Sequence, residues 1–294
     1  MERLAVVTIP STSTRTRRRL LTLTLFVAMC FGCTSPSRGD EGPLWEFGLG
    51  AGAVVFPDYR GADTSHVYPI PIPYFVYRGT FLRSDRNGLR ELFLDNDIVE
   101  LNLSVGATTP ARSNGTSARA GMPDLKPTIE VGPSLDLHLW RSVDRLVQFD
   151  LRLPVRGAIT IESSPHSIGG FFSPRLNFDI RDVGGHAGWD AGFLVGPLYA
   201  NREYDNYFYT VAPQFATPSR PAYQAAGGYA GAEMLVSVSK RFPNFWVGAF
   251  VRHDTLSGAT FLASPLVRSQ DYWAGGFGIA WLIGKSDHRV KTDD

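Results

Sequence analysis

The clearest pattern in the chain is an alternation of apolar and polar residues from Ile129 to Val155. A side-chain period of two is typical of extended strands with one apolar and one polar face. Trp140 to Arg145 are enough residues to reverse the chain, so we expect two antiparallel strands. Each arm runs for about ten residues or more, the length that a tilted strand needs to cross a bilayer. The pattern therefore predicts a membrane-spanning β-barrel.

The same alternation recurs along the chain and predicts ten strands. They begin near Trp45, Tyr68, Asp97, Leu125, Leu146, Ile168, His186, Gly227, Phe245 and Tyr272. The second strand contains Pro69, Pro71 and Pro73, so their missing donors are expected to face one way, toward an edge or a strained end. Gly79 to Asn96 is irregular, and two further short strands there would make twelve. The predicted fold class is all-β, a transmembrane antiparallel up-and-down β-barrel of about ten strands, with twelve as the alternative.

The lengths of the connections support this topology. Outer-membrane barrels have long loops outside and short turns in the periplasm. A soluble β-sandwich would also alternate, but strand length, loop asymmetry and the export signal together favour the barrel. Outside the N-terminus, no apolar run reaches about 18 residues, which excludes a helical membrane protein. The long connections are 57–67, 109–124, 161–167, 199–226 and 255–269, and the short ones are 140–145, 181–185 and 240–244.

The N-terminal segment has the features of an export signal. Arginines between Arg15 and Arg19 precede an apolar run from Leu20 to Phe31, as in secretory signal peptides. Cleavage is expected after Gly32 or after Gly39, and a lipobox-like pattern leaves lipidation of Cys33 as an alternative. We therefore divide the chain into a signal peptide with an N-terminal extension (1–39), an outer-membrane barrel (40–284) and a polar tail (285–294). The expected location is the bacterial outer membrane.

Composition limits the other classes of function. The net charge of +1 gives no indication of nucleic-acid binding. Cys30 and Cys33 are the only cysteines and lie in the export segment, so we expect neither a disulfide nor a thiolate metal site after export. The six histidines lack the spacing of metal ligands, so no metal or other cofactor is predicted.

One cluster of polar residues could be mistaken for a catalytic site: His138 with Asp136 and Asp150. We interpret it as part of a charge-matched inner wall, because opposite charges on adjacent strands can pair. If the barrel is an open channel, these charges would set its selectivity. The predicted lumen charge ladder comprises Glu130, Asp136, His138, Asp150, Arg152, Arg156 and Arg175.

Two kinds of barrel enzyme are disfavoured. A lipase with its Ser and His on the lipid-facing wall is not expected, because the outward positions of the clear strands contain neither. A protease at the outer rim would need loop residues such as Asp63, His66 and His253-Asp254, which any loop can contain. The chain is therefore predicted not to be an enzyme.

Three segments, in matching order over Leu44 to Ile283, resemble the MipA/OmpV family of outer-membrane proteins. They are Pro57-Asp58-Tyr59-Arg60-Gly61-Ala62-Asp63 with Pro71-Ile72-Pro73-Tyr74-Phe75, then Pro221-Ala222-Tyr223-Gln224-Ala225, then Ser264-Pro265-Leu266-Val267-Arg268. The motif residues, of unassigned role, are Pro57, Asp58, Tyr59, Gly61, Pro71, Pro73, Tyr74, Pro221, Ala222 and Tyr223.

The resemblance implies an outer-membrane β-barrel, in contact with membrane lipid and without known catalysis. The family's namesake is described as a scaffold that joins a lytic murein transglycosylase to a penicillin-binding protein. The expected function is therefore a non-enzymatic scaffold for murein (peptidoglycan) synthesis, with partners on the periplasmic side at the short turns, Gly79 to Asn96 and the tail. The alternatives are a narrow porin-like solute channel or a surface adhesin. The polar tail after Gly284 and the extended N-terminus depart from the usual family pattern.

Overall fold

The computed structural model describes residues 41–78, 82–85, 88–91, 94–95, 98–115 and 117–291. The predicted export segment, Cys30 and Cys33 lie outside these residues. Short 3-10 turns lie at Ser113–Gly115, Ser117–Arg119, Val183–Gly185 and Pro213–Phe215. The strands and the α-helix are β1 (Glu41–Pro43), β2 (Trp45–Pro57), β3 (Ser65–Arg78), β4 (Leu82–Asp85), β5 (Gly88–Glu91), β6 (Leu94–Asp95), β7 (Val99–Thr108), β8 (Thr128–Arg141), β9 (Val147–Thr160), β10 (Ser167–Phe172), β11 (Arg175–Ile180), β12 (Trp189–Ala200), α1 (Arg202–Tyr209), β13 (Gly228–Arg241), β14 (Phe245–Thr255), β15 (Asp271–Lys285) and β16 (Arg289–Lys291).

The large sheet contains 14 strands among the described residues, and neighbours in it are antiparallel. Its order is β5-β4-β3-β2-β15-β14-β13-β12-β10-β9-β8-β7-β6, with β11 between β9 and β12. The sheet curls on itself: Glu46 of β2 lies 3.0 Å from Arg241 of β13 although two strands separate them. Residues of β3 and β9 line one internal cavity. The predicted up-and-down β-barrel is confirmed.

Each of the ten predicted strands corresponds to a stretch of this wall. The sixth is interrupted at Ser173 and Pro174, which separate β10 from β11 without changing the register against β9. The irregular segment after β3 holds three short strands, β4 to β6. The alternative of twelve strands predicted two strands in this segment. Part of that segment, at 79–81, 86–87, 92–93 and 96–97, lies outside the described residues.

The two faces of the wall have inverted polarity relative to a soluble protein. Ile129 and Val131 of β8 are exposed, whereas Glu130, Ser134 and Asp136 of the same strand are buried. The alternation from Ile129 thus places its apolar side chains outward and its polar side chains in the lumen, as the sequence predicted. An apolar belt of this kind is what the hydrocarbon of a bilayer requires.

Glycine allows the first and last long strands to approach closely. A Cβ added at Gly50 of β2 would lie 1.9 Å from the carbonyl oxygen of Ile279 in β15, and Gly48 and Gly52 meet β15 in the same way. Only a residue without a Cβ fits such a contact. The inner-wall glycines therefore close the barrel between β2 and β15.

The edge of β3 opposite β2 contains the alternating prolines. β3 pairs with β2 along almost its whole length, from Ser65 to Tyr77. Pro69, Pro71 and Pro73 are two residues apart, so their nitrogens all face the same edge of β3. Because the ladder with β2 is unbroken, this is the edge that faces away from β2. Among the described residues, that edge pairs only with β4, at Tyr77 and Arg78.

β7 has a similar edge, on the side opposite β8. Within the described part of the chain, the side of β7 opposite β8 pairs only with β6, at Glu100 and Leu101. We call the stretch of wall between Ser65–Val76 of β3 and Asn102–Thr108 of β7 the seam. At Pro69, Pro71 and Pro73, the β3 side of the seam has no donor for a neighbouring strand.

The two ends of the barrel differ. We call the end with the long connections the outer end and the end with the short turns the inner end, following the usual orientation in outer membranes. The two ends of the described part of the chain pair at the inner end, where Arg289–Lys291 of the predicted polar tail forms a ladder with Glu41–Pro43. Backbone pairing needs no apolar side chains, so this short polar strand leaves no pattern in the sequence. In the described ranges, no helix has the length and apolar character needed to span a membrane.

Candidate functional site: the outer cap and the lumen

The apolar core of the protein lies mainly in the long connections at the outer end. We call this structure the outer cap; it consists of residues 58–64, 109–115, 117–127, 201–227 and 256–270. A soluble protein keeps its core between its strands or helices, whereas here the loops fold on one another over the barrel mouth. Buried apolar residues of the cap include Tyr59, Ala118, Leu125, Phe208, Tyr209, Val211, Leu256, Phe261 and Leu266.

An aromatic stack lies at the centre of the outer cap. The rings of Tyr209 and Phe261 are 3.6 Å apart and within 7° of parallel. The Tyr59 hydroxyl donates a hydrogen bond to the Leu266 carbonyl at 2.7 Å, and Ser264 Oγ donates to the Tyr209 carbonyl at 2.7 Å. Burial raises the pKa of Tyr59 to about 12, so this hydroxyl keeps its proton at neutral pH. These contacts connect three separate segments into one packed unit.

Helix α1 joins the outer cap to the lumen. Asn201 caps the helix by accepting a hydrogen bond from the Tyr204 amide at 2.9 Å. The Tyr204 hydroxyl donates to Glu130 Oε1 of β8 at 3.1 Å, and its ring packs on Phe171 with centroids 5.1 Å apart. Our sequence analysis treated 199–226 as a loop and missed this helix. Asn201 followed by acidic residues in the first turn was the available signal.

Arg60 anchors the outer cap to the barrel wall. Its Nη1 donates to the Ala230 carbonyl at 2.8 Å, its Nε donates to the Tyr272 hydroxyl at 3.1 Å, and its Nη2 lies 3.3 Å from Asp254. Asp254 is almost fully buried and also pairs with Arg252 at 2.7 Å. One guanidinium therefore binds β13, β14 and β15 from a cap segment.

Asp205 of α1 is the most unusual group in the cap. It is fully buried, and neither of its carboxylate oxygens has a hydrogen-bond partner. Burial raises its pKa to about 7, and the nearby Arg60 guanidinium opposes this shift. A buried carboxylate without donors favours its neutral form, so the cap contains a group that titrates near neutral pH.

Two further arginines bind carbonyl groups inside the outer cap. Arg119 Nη1 donates to the Phe208 carbonyl at 3.0 Å. Arg220 donates to the carbonyls of Ala118 at 3.0 Å and Phe215 at 2.8 Å. Arginine suits this task because one planar group satisfies several acceptors in fixed directions. The cap therefore has specific polar contacts in addition to its apolar packing.

The structure brings the first and third family motifs together. The Gly61 carbonyl accepts hydrogen bonds from the amides of Arg268 at 2.7 Å and Ser269 at 3.1 Å. Gly61 has a φ of +91°, a conformation that favours glycine. Pro57 ends β2, and Asp58 lies 3.2 Å from His66. Asp58, Tyr59 and Gly61 thus belong to the outer cap, and Pro57 lies at the strand end next to it.

The other motif residues lie in different places. Pro71 and Pro73 face outward on β3, while Tyr74 points inward and donates to Glu46 at 3.4 Å. Pro221 and Ala222 are exposed on the outer cap. Tyr223 pairs with Val211 through two backbone hydrogen bonds of 2.8 and 3.0 Å. The motif residues as a group therefore form no single site.

The predicted ladder residues lie on the inner wall, where they form a hydrogen bond and several ion pairs. His138 Nδ1 is 2.9 Å from Asp150 Oδ1. Arg152 lies 3.6 Å from Asp136 and 3.8 Å from Asp150.

The ladder continues toward the outer end through three further residues. Arg156 lies 3.8 Å from Glu130. Arg175 pairs at 3.2 Å with Glu233 of β13, a residue that our sequence analysis did not include. The charges of the lumen are thus distributed as opposite neighbours.

The structure places the residues considered for catalysis in separate polar contacts. His253 is 3.7 Å from Asp271, and Asp254 belongs to the Arg60 anchor. Asp63 is exposed and accepts a hydrogen bond of 3.4 Å from its neighbour Thr64. Across the described part of the chain, no group of three His, Cys, Asp or Glu residues could hold a metal ion.

Replacing Tyr59 with phenylalanine is expected to lower the stability of the outer cap by about 1 kcal/mol, the usual value of one hydrogen bond. The ring packing is kept, and only the 2.7 Å bond to the Leu266 carbonyl is lost. Chemical denaturation of the purified protein in detergent, followed by aromatic circular dichroism, measures the change. Tyr199→Phe, at an exposed ring on β12, is the matched control and should have no effect. Equal stability of the two variants would contradict the role of Tyr59.

An apolar outer belt, a polar lumen and a loop-built cap define the class of the chain as a membrane-spanning β-barrel. The family model of the MltA-interacting protein MipA matches residues 49–283. The chain belongs to this family. It is 25% identical over 214 residues to the outer membrane protein OmpV of Vibrio cholerae serotype O1, covering 70% of this chain and 76% of that protein.

The chain is also similar to a second sequence relative and to solved structures. The outer membrane protein Omp26La of Vibrio anguillarum is 26% identical over 215 residues, with 70% of this chain and 76% of that protein covered. Among solved structures, OprG of Pseudomonas aeruginosa gives a TM-score of 0.24 at 8% identity, covering 83% of this chain and 96% of that one. A Pseudomonas aeruginosa FadL homologue gives 0.31 at 8% identity, with 81% and 89% covered. The sequence relatives establish that the protein is localised to the outer membrane.

Proposed function

We propose that this protein is a non-enzymatic outer-membrane scaffold that binds a murein transglycosylase, and with it a penicillin-binding protein, at its inner end. The family description, an MltA-interacting protein, supports the first partner. The observation that favours a scaffold over a channel is the outer cap. A solute that entered the barrel from outside would have to pass a packed core in which Phe261 and Leu266 are fully buried.

The turn between β8 and β9 is the part of the inner end best suited to a partner. Val143 at its tip is fully exposed. Ser142 Oγ donates to Asp144 Oδ1 at 2.5 Å, and the Leu146 amide donates to the same oxygen at 3.1 Å. These hydrogen bonds lower the pKa of Asp144, so the turn is held by an ionised carboxylate. A rigid turn that presents an apolar side chain is a suitable anchor for a protein partner.

Replacing Val143 with aspartate is expected to weaken binding of an MltA-type murein transglycosylase about tenfold or more, because a charge would replace an apolar anchor. The full-length protein in detergent is immobilised, and binding of the purified soluble transglycosylase is measured by biolayer interferometry. Ala222→Asp introduces the same charge on the outer cap and is the control, with unchanged binding expected. Absence of binding by the unmodified protein would refute the scaffold. Equal binding by both variants would refute this turn as its site.

A porin-like channel is the competing function, and the paired charges of the lumen would then face a solute. Planar bilayer recordings separate the two functions, because a lumen closed by the outer cap should give no steady current at moderate voltage. A stable open conductance from the unmodified protein would favour the channel. The same preparation, tested for transglycosylase binding, shows whether the two properties coexist. A penicillin-binding protein added to the bound transglycosylase tests the second partner.

A further inference from the structure

The lumen contains a cavity of about 400 Å³ between the outer cap and the inner end. This size is within the range of small-molecule sites, about 300–1,000 Å³. One side of its lining is apolar and includes Val54, Ile70, Ile72, Trp246 and Phe250. The opposite side is polar and includes Arg152, Asn177, Asp179, Asp190, Ser237 and Ser239.

Glycines on the inner wall provide this space. Gly248, Gly276 and Gly278 lie in the lining, where larger side chains would fill the lumen. A Cβ added at Gly278 would lie 2.0 Å from Ile72 Cδ1, and one at Gly248 would lie 2.3 Å from the Trp246 ring. The absence of side chains at these positions lets Ile72 and Trp246 lie flat against the wall and leaves the centre open.

Asn177 on the polar side has an unused hydrogen-bonding group. The residue is 7% exposed, and its Oδ1 has no hydrogen-bond partner in the structure. A buried acceptor without a donor costs about 1–3 kcal/mol. Nearby, Arg152 lies 3.6 Å from Asp179, so the charges beside Asn177 are matched within the wall. The cavity therefore offers an apolar surface and, among its polar groups, an amide acceptor at Asn177 that has no donor.

We propose that this cavity binds a small, mostly apolar molecule that carries one hydrogen-bond donor. The donor binds Asn177 Oδ1, and the apolar part packs between Ile72 and Trp246. This site is separate from the scaffold surface at the inner end and does not depend on it. A molecule of this chemistry dissolves in the membrane, and Ile70 and Ile72 lie on β3 among the seam prolines Pro69, Pro71 and Pro73. Such a molecule reaches the cavity from the membrane without passing the outer cap.

Two fluorescent probes of similar shape test the site. N-phenyl-1-naphthylamine has an N–H donor, and 1-benzylnaphthalene does not. We expect saturable binding of both to the full-length protein in lipid nanodiscs, measured against empty nanodiscs. Asn177→Leu keeps the size of the side chain and removes the acceptor. It should weaken binding of the amine about tenfold and change binding of the hydrocarbon less than about twofold.

A second variant keeps the proposal testable if Asn177→Leu folds poorly. Ser239→Phe fills the cavity from its polar side and should abolish binding of both probes, while heat-modifiable gel mobility shows that the barrel is folded. Lack of saturable binding by the unmodified protein would overturn the proposal. Equal losses of both probes in Asn177→Leu would also overturn it, because binding would then not depend on a donor in the bound molecule.

The rate of probe binding identifies the route of access. If the molecule enters from the membrane through the seam, opening the outer cap by Arg60→Met should leave the association rate unchanged. A faster association rate in that variant would show that the molecule passes the cap, and would contradict the membrane route.

Discussion

Replacing Arg60 with methionine is expected to release the outer cap while the barrel stays folded. The variant keeps the length of the side chain and loses the hydrogen bonds to Ala230 and Tyr272 and the ion pair with Asp254. Breaking a buried ion pair by removing one partner costs about 3–5 kcal/mol. The strands do not depend on this residue, because their ladders are formed by backbone groups. The cap should therefore open before the wall unfolds.

Proteolysis measures this effect. Proteinase K added to the protein in proteoliposomes should cleave residues 201–227 in Arg60→Met at least tenfold faster than in the unmodified protein. Arg202→Met removes an exposed arginine at the start of α1 and serves as the control, with no change expected. Heat-modifiable mobility reports whether the barrel remains folded. Cap loops that resist the protease in both variants would show that apolar packing alone holds the cap closed.

Replacing Asp205 with asparagine is expected to stabilise the outer cap at pH 8 and to remove most of its pH dependence between pH 4 and 7. The pKa of Asp205 is raised from an ordinary value of 3.8 to about 7 in the folded cap. Below about pH 4 the carboxyl is neutral in both the closed and the open cap, and its contribution to the stability of the closed cap is fully present. As the pH rises to 7, ionisation favours the open cap, with a cost of roughly 2–4 kcal/mol.

The same proteolysis, performed from pH 4 to 9 with a protease active across that range, tests this prediction. The unmodified protein should be cleaved faster as the pH rises to about 7 and then at a constant rate. Asp205→Asn should be cleaved slowly at every pH. Glu203→Gln, at an exposed position of the same helix, is the control and should behave as the unmodified protein does. A pH profile that persists in Asp205→Asn would assign the titration to another group.

The barrel wall could be predicted from the sequence because its rule is local. Each residue from Ile129 to His138 faces lipid or lumen according to its parity, and the alternation records that choice directly. The prolines of β3 followed the same logic, since their spacing of two requires a single edge for all missing donors. The same reasoning could have predicted that His138 and Asp150 lie directly opposite each other on neighbouring strands.

The outer cap could not be predicted because its contacts join distant segments that have no repeating pattern. Tyr59 and Leu266 are 207 positions apart, and Arg60 reaches Ala230 and Tyr272. The resemblance to a family marked Tyr59 and Gly61 but gave them no role. Asp205 gave no signal, because an aspartate in a polar connection is usually solvated. Its burial follows from the packing of α1, which sequence periodicity over eight residues does not define.

The proline edge of β3 also bears on how the protein behaves beside copies of itself. An exposed strand edge with free donors and acceptors invites pairing with another chain, which leads to swapped or aggregated assemblies. Pro69, Pro71 and Pro73 cannot donate, so the β3 side of the seam is a poor template for a foreign strand. In a crowded outer membrane, where barrels meet side by side, these prolines would keep neighbouring barrels from fusing into a common sheet.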